Sequence, residues 1–426
     1  MISRTRWVRK IVLDSFFKRT PLLEFMARFE PSKRLENVSY AIRDVVLEAR
    51  KVEASGRKVL YLNIGDPCVY DFQTPRHLIE AVSKAMLSGK NSYAPSEGLK
   101  EAREAVAQEC GREGFKASPE DVLLGYGASE GIWFALTALL NPGENVLTPS
   151  PGYPQYTSLI NLLGAKPNEY PCLESEDWEP DFDAMRKRVN AKTKAVVVIN
   201  PNNPTGAVYS KKTLKGVLDL AGEHNLVVLA DEIYSKLVYG EGAEFHAMAS
   251  LSNDVPVVTF SGLSKNYLAP GWRTGWSVFH DPQQKAAKVR DAMLQLGRVR
   301  LSTTYPFQFA VKAALEGPQG HLIEVNDKLR RRADLLFSAL NEPGSGVSVV
   351  KPKGAFYAFA KIQEKSKAKD DKKFTMDLLK EQGVLTVFGS GFGGGPAKGH
   401  FRIVFLPKED VLREACGKIK AFASRN

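Results

Sequence analysis

Lys265 sits in the stretch Ser261 to Trp276, Ser-Gly-Leu-Ser-Lys-Asn-Tyr-Leu-Ala-Pro-Gly-Trp-Arg-Thr-Gly-Trp. A strand-like run, Val255 to Ser261, leads into it, and the flanking residues are small or apolar. A lysine so placed has no job as a surface charge. An amine in a restricted site sheds its proton more easily and becomes a candidate Schiff-base nucleophile. Arg273, eight residues on, suits a phosphate, which its planar fork can grip with two hydrogen bonds. Upstream, Gly127-Ala128-Ser129-Glu130 follows a strand and opens an apolar helix. Free N–H groups at such a helix start, with a serine hydroxyl, form an anion cradle, although Ser129 alone reads equally well as an N-cap. Asp231, in Ala230-Asp-Glu-Ile-Tyr234, ends an apolar strand. Burying it is costly unless a cation pairs with it, and a carboxylate capping a helix is the competing reading.

Taken together and in order, these segments resemble the lysine, phosphate and aspartate segments of class I aminotransferases, the fold-type I enzymes that use pyridoxal 5'-phosphate (PLP). The resemblance covers roughly residues 36–420. It implies that Lys265 holds PLP as a Schiff base and then removes the substrate's α-proton. Ala128, Ser129, Ser264 and Arg273 match the phosphate contacts, and Tyr153 in Pro-Gly-Tyr-Pro matches the aromatic that stacks on the cofactor ring. Asn203, in the stiff turn Asn200-Pro-Asn-Asn-Pro-Thr-Gly206, and Tyr234 match the hydrogen-bond partners of the phenolic oxygen. Asp231 matches the carboxylate that keeps the ring nitrogen protonated, so that the ring accepts electrons. Tyr93, in Tyr-Ala-Pro-Ser-Glu-Gly98, matches a tyrosine that reaches the phosphate of a neighbouring subunit, which implies a homodimer with shared active sites. The pattern departs at Thr274, where an aliphatic residue is usual, and at Gly262, where many members carry a serine.

The same resemblance assigns substrate contacts. Gly65, in Leu62-Asn-Ile-Gly-Asp-Pro67, matches the glycine whose backbone lies over the substrate carboxylate, with Asn203 beside it. Arg402, in His400-Phe-Arg-Ile-Val404, matches the arginine that pairs with the α-carboxylate. The segment Val38-Ser-Tyr40-Ala-Ile-Arg43 and the glycine-rich loop look most like the alanine aminotransferase branch of archaea and bacteria. That implies L-alanine and 2-oxoglutarate giving pyruvate and L-glutamate by ping-pong transamination. Tyr40 falls within this substrate segment, and Arg43 or Arg300 is expected to read glutamate's distal carboxylate, with a surface or interface ion pair as the alternative. The turn Thr304-Tyr305-Pro306-Phe307 is bulkier than the family's usual form, so an aspartate or broad-specificity aminotransferase stays open as the second reading.

These residues need a scaffold, and the chain supplies one. Its 426 residues exceed a single-core domain, and 43% apolar with 25% charged residues is ordinary for a soluble globular protein. Apolar, β-branched runs at 122–124, 145–148, 194–199, 226–230, 255–260 and 275–279 alternate with helix-length segments. Several are continuous, as in strands buried on both faces, so an α/β fold with a mainly parallel sheet flanked by helices is expected, with ligands at the strands' carboxyl ends. Past residue 305 long charged helices and short strands suggest a smaller α/β domain. The expected division is an amphipathic arm over 1–34, the start of the small domain over 35–64, a PLP-binding domain over 65–304 and the rest of the small domain over 305–426. The Gly389–Gly399 tract lacks the strand before and helix after that a nucleotide site needs, and reads as the turn feeding Arg402.

Composition also argues against other classes. The net charge of +11 invites a nucleic-acid reading, but the basic residues are interleaved with 48 acidic ones. No apolar run is long enough to span a bilayer. Cys68, Cys110, Cys172 and Cys416 form no Cys-x-x-Cys pair, as suits reduced thiols in the cytoplasm, and six scattered histidines suggest no metal site. A PLP-sensing regulator would carry a DNA-binding domain ahead of the body, for which 34 residues are too few.

Overall fold

The computed structural model describes residues 31–36, 38, 41–364, 367 and 369–425. The expected arm therefore lies almost wholly outside the described residues, as does Tyr40. The chain divides into a unit of residues 1–37 and a unit of residues 38–426. In the first, Ser32 accepts a hydrogen bond from the Arg34 N–H and caps a short 3₁₀ turn, Lys33–Leu35.

The larger unit places β1 at Leu60–Tyr61, then β2 (Val122–Tyr126), β3 (Asn145–Ser150), β4 (Lys166–Leu173), β5 (Glu179–Pro180), β6 (Thr193–Ile199), β7 (Val227–Asp231), β8 (Val257–Gly262) and β9 (Thr274–His280). The last eight form one sheet in the order β2-β9-β8-β7-β6-β3-β4-β5. The run from β4 to β8 pairs in parallel, and β9 is antiparallel to both β8 and β2. All five residues of β7 are buried, and so are six of the seven in β6. This explains the unbroken valine runs: both faces of these strands meet helices, so neither needs polar residues. The helix Lys211–Glu223 is typical of the cover. Ser210 caps it through the Thr213 N–H, and Leu214, Val217, Leu218 and Ala221 turn one buried face to the sheet.

The strand β4 has no counterpart in the apolar runs. Its sequence, Lys-Pro-Asn-Glu-Tyr-Pro-Cys-Leu, carries two prolines, which argue against a central strand. Here β4 pairs along β3, while only Cys172 and Leu173 meet β5 on the other side. Most of that edge needs no ladder donors, so proline is tolerated.

A second sheet follows: β10 (Val347–Val349), β11 (Tyr357–Ile362), β13 (Val387–Phe388) and β14 (His400–Val404), in the order β10-β11-β14-β13 and all antiparallel. The helices Gly320–Leu340 and Glu409–Ala423 bury Leu329, Ala333, Leu336, Leu412, Ala415 and Ile419 in the same core as this sheet. The short strand β12 (Val384–Leu385) pairs in parallel with β1. That pairing, with the Val404 N–H donating to the Leu62 carbonyl at 2.9 Å, sets residues 62–66 beside the end of β14.

Candidate active site

In β2, β3, β6, β7 and β8 the chain runs the same way, so their carboxyl ends share one edge of the large sheet. A cavity of about 530 Å³ opens there. From the large sheet it receives Ala128 and Ser129 after β2, Tyr153 after β3, Asn203 after β6, Asp231 at the end of β7, Tyr234 beyond it, Ser264 and Lys265 after β8, and Arg273 just before β9. From outside that sheet come Arg43, Gly65, Tyr357 and Arg402.

The Lys265 amine donates a 2.6 Å hydrogen bond to the Gly65 carbonyl. Burial pulls its pKa down to about 8, and the positive fields of Arg273 and Arg402 add to the effect while Asp66 opposes it. A useful fraction of the amine is therefore neutral near physiological pH.

Asp231 is 4% exposed. The Tyr156 phenol donates to its Oδ2 at 3.3 Å and the Ile233 N–H to its Oδ1 at 3.4 Å. Burial pushes the carboxyl up to about 6. No ion pair joins it to a described lysine, arginine or histidine. A buried acceptor with two long hydrogen bonds and a face on the cavity is suited to a cationic N–H from a ligand.

The helix Ala128–Leu139 begins at Gly127, with φ of 73° and no side-chain cap, so Ser129 is a helical residue and not the N-cap. A Cβ at Gly127 would lie 2.8 Å from Arg273 Nη2, so only glycine lets the guanidinium reach the helix start. Arg273 itself takes a left-handed backbone, with φ of 51°, and donates to the carbonyls of Pro270 and Tyr126. Free helix N–H groups, two serines and an arginine thus converge at one end of the cavity.

On the remaining wall Arg402 is 1% exposed. It donates to Asn203 Oδ1 at 2.9 Å and to the Asn63 carbonyl at 2.5 Å. Its guanidinium lies 4.5 Å from the Tyr357 ring and 4.8 Å from the Phe392 ring. The phenols of Tyr234 and Tyr357 share a 2.9 Å hydrogen bond, and burial holds Tyr234 protonated, well above its ordinary range. A Cβ on Gly65 would meet the Tyr357 hydroxyl at 2.2 Å, which explains glycine at that turn.

Two expected residues are elsewhere. Arg300 does not line the cavity: it pairs with Glu130 at 2.6 Å and donates to the carbonyls of Ser96 and Leu124. Within its own chain Arg300 therefore has the ion pair that was the alternative reading, with Glu130 on its fork. Tyr93 is 82% exposed and also lies off the cavity of its own chain. Sequence reasoning missed Tyr357, Tyr156 and Phe392. Tyr156 follows Tyr153 at helical spacing, and Phe392 lies inside a loop read only for its glycines; those were the available signals.

PLP fits these residues. Its aldehyde needs an amine with a lowered pKa, its ring nitrogen needs a buried carboxylate lacking a cation, and its phosphate needs donors; the cavity offers all three. The comparisons agree. The profile described as "Aminotransferase class I and II" matches residues 57–419. The glutamate-pyruvate aminotransferase AlaA of Escherichia coli K12 is 40% identical over 404 residues, covering 94% of this chain and 99% of that one. The solved alanine aminotransferase from Pyrococcus furiosus superposes with a TM-score of 0.89 at 47% identity, over 92% of this chain and 99% of the other. An aspartate aminotransferase structure from Thermus thermophilus gives 0.84 at 31% identity, over 92% and 100%. A match to the family profile over most of the chain, with relatives this similar along nearly their whole length, means that the protein belongs to the class I and II aminotransferases.

Proposed function

We propose that this PLP-dependent transaminase converts L-alanine and 2-oxoglutarate to pyruvate and L-glutamate in two half-reactions at one site. The observation that carries the reading is the Lys265 amine, bonded to the Gly65 carbonyl at 2.6 Å, in a cavity it shares with the buried Arg402. The names of the Escherichia coli and Pyrococcus relatives support alanine as the amino donor.

When bound, PLP supplies an electrophilic carbon and an electron-accepting ring. Arg402, held by Asn203 and Asn63, offers its fork to the substrate's α-carboxylate, beside the Gly65 backbone. Lys265 serves as the general base that takes the α-proton at Nζ and later returns it. Asp231, held by Tyr156, keeps a negative charge where the ring nitrogen is to stay protonated. Tyr234 and Asn203 present hydrogen-bonding groups to the phenolic oxygen, Tyr153 an aromatic face to the ring, and Ala128, Ser129, Ser264 and Arg273 contacts to the phosphate. Arg43, on the cavity rim, is the described arginine left to meet a distal carboxylate.

The protein acts as a homodimer in this proposal. Tyr93 is turned outward, as a residue serving a second copy's site would be, and Trp133, Val299 and Leu301 also expose apolar surface. We assign the lobe boundaries at residues 64 and 304 and a cytoplasmic location on the same footing. No helix among the described residues is long and apolar enough to cross a membrane. An aspartate-directed reading is second, supported by the Thermus thermophilus likeness.

The test is spectroscopic. Adding L-alanine to the PLP-loaded protein should bleach the cofactor's visible band, and 2-oxoglutarate should restore it. Bleaching by L-aspartate alone would move the assignment to the second reading.

A further inference from the structure

The loop 389–399 feeds Arg402, and a carboxylate remote from the cavity closes it. Asp371, 4% exposed, opens the helix Asp371–Gln382. Its Oδ2 accepts from the Ser390 N–H at 2.9 Å and from the Gly399 N–H at 3.0 Å, while the Ser390 hydroxyl donates to Oδ1 at 2.7 Å. One side chain thus holds both ends of the loop. Gly389 permits the closure, since a Cβ there would lie 2.2 Å from the Ala397 carbonyl oxygen.

The middle of the loop is tied to the large sheet's edge. The Gly394 N–H donates to Glu169 at 2.7 Å, Ser150 Oγ donates to the Gly394 carbonyl at 2.7 Å, and the Gly152 N–H donates to the Phe392 carbonyl at 2.9 Å. Between base and middle stands Phe392, 2% exposed, with its ring against the Arg402 guanidinium and the Phe359 ring.

We propose that Asp371 is a positioning residue for the transamination: by closing the 389–399 loop it holds Phe392 against Arg402 and so sets how firmly an α-carboxylate is gripped. The inference rests on the reading of Arg402 as the α-carboxylate partner. Because both substrates carry that group, loosening the loop weakens both alike. A distal-carboxylate residue would instead affect 2-oxoglutarate alone.

The experiment is steady-state kinetics with both substrates on the PLP-loaded protein, alongside the affinity for PLP read from its visible band. Asp371→Ala should raise both KM values by about 10- to 100-fold, the scale of a misplaced binding group, with kcat within about threefold and PLP affinity unchanged. Asp371→Asn should restore near-normal KM, because its Oδ1 can accept both N–H groups while its Nδ2 donates to the Ser390 hydroxyl. Ser390→Ala, which removes one bond and leaves the carboxylate, should raise both KM values by about threefold, and it reports even where Asp371→Ala fails to fold. A fall in kcat or PLP affinity without a KM change, or an asparagine variant as impaired as alanine, would overturn the proposal. Arg402→Lys separates the two layers. If it leaves both KM values unchanged, the reading of Arg402 fails; if it raises them while the Asp371 and Ser390 variants do not, the loop inference alone fails.

Discussion

The two walls of the cavity are built on different plans. The wall carrying Lys265, Asp231 and Ala128 is the edge of one sheet, and each of its groups lies at or just past the end of a strand. The wall carrying Arg402 is assembled from Asn63 and Gly65 after β1, Asn203 after β6, Tyr357 on β11 and Phe392 in the glycine-rich loop. The first wall needs only that a sheet form. The second needs β1 to find β12, β14 to find β11, and the loop to close before the arginine is aimed. Charge follows the same division. The sheet edge holds groups whose protonation burial has shifted, and the assembled wall holds a cation stacked on aromatic rings.

Breaking the first wall should cost the most. Lys265→Ala removes the group proposed as both covalent anchor and base, and should lower kcat by at least about 10⁴-fold. Single-turnover loss of the α-deuterium label from alanine measures it; residual proton exchange near wild-type rate would refute the assignment. Asp231→Asn keeps the shape and removes the charge, so kcat should fall by about 10³-fold while KM for 2-oxoglutarate moves little. A variant in which KM alone suffers would mean that Asp231 belongs to substrate binding, and the contrast between the walls would dissolve.

This difference in plan also explains what could be read from the chain. Lys265, Asp231, Asn203 and the Gly127 helix start each sit in an unbroken local segment, because a strand end and its following turn are consecutive residues. The parallel sheet was legible for the same reason, as continuous β-branched runs, while the proline-bearing β4 was not. On the assembled wall Asn203, Arg402 and Gly65 stood out. Tyr357 and Phe392 matter through contacts made across long stretches of chain, and no local pattern encodes a contact of that kind. Arg300 shows the reverse case. Its position along the chain suggested substrate binding with an ion pair as the alternative, and within its own chain it pairs with Glu130 on the neighbouring helix.

The two arginines once considered together should therefore separate. Arg300 and Glu130 are each about nine-tenths buried at the side chain, with 10% and 13% exposed. Arg300→Leu leaves that carboxylate unpaired and should destabilise the fold by about 3 kcal/mol, seen as a lower Tm. Arg43→Leu should leave Tm alone and raise KM for 2-oxoglutarate about tenfold, with alanine unaffected. If instead Arg300→Leu changes only the 2-oxoglutarate KM, the cavity's assembled wall extends further than the geometry indicates.

An effect on stability alone lies behind the first wall. Neighbours on an extended chain point to opposite faces, so Glu232, next to Asp231, turns away from the cavity. It accepts from the Met248 N–H at 2.8 Å and lines a small void of about 20 Å³ with Glu113. Burial pushes Glu113 up to about 7, with Lys236 opposing and Glu109 adding to the rise. A carboxyl whose pKa rises on folding is protonated more fully in the folded state than in the unfolded one between about pH 4.5 and 7. Its contribution to stability is therefore complete at low pH and is lost as pH climbs through 7. Glu113→Gln removes that loss. Its unfolding free energy relative to the parent should be higher at pH 8 than at pH 5 by an amount on the order of 2 kcal/mol, since part of the carboxyl still meets water, and the Tm difference should grow in the same sense. An equal Tm difference at both pH values would mean that Glu113 stays ionised beside Lys236, and that the back of the sheet tolerates charge as readily as its cavity face.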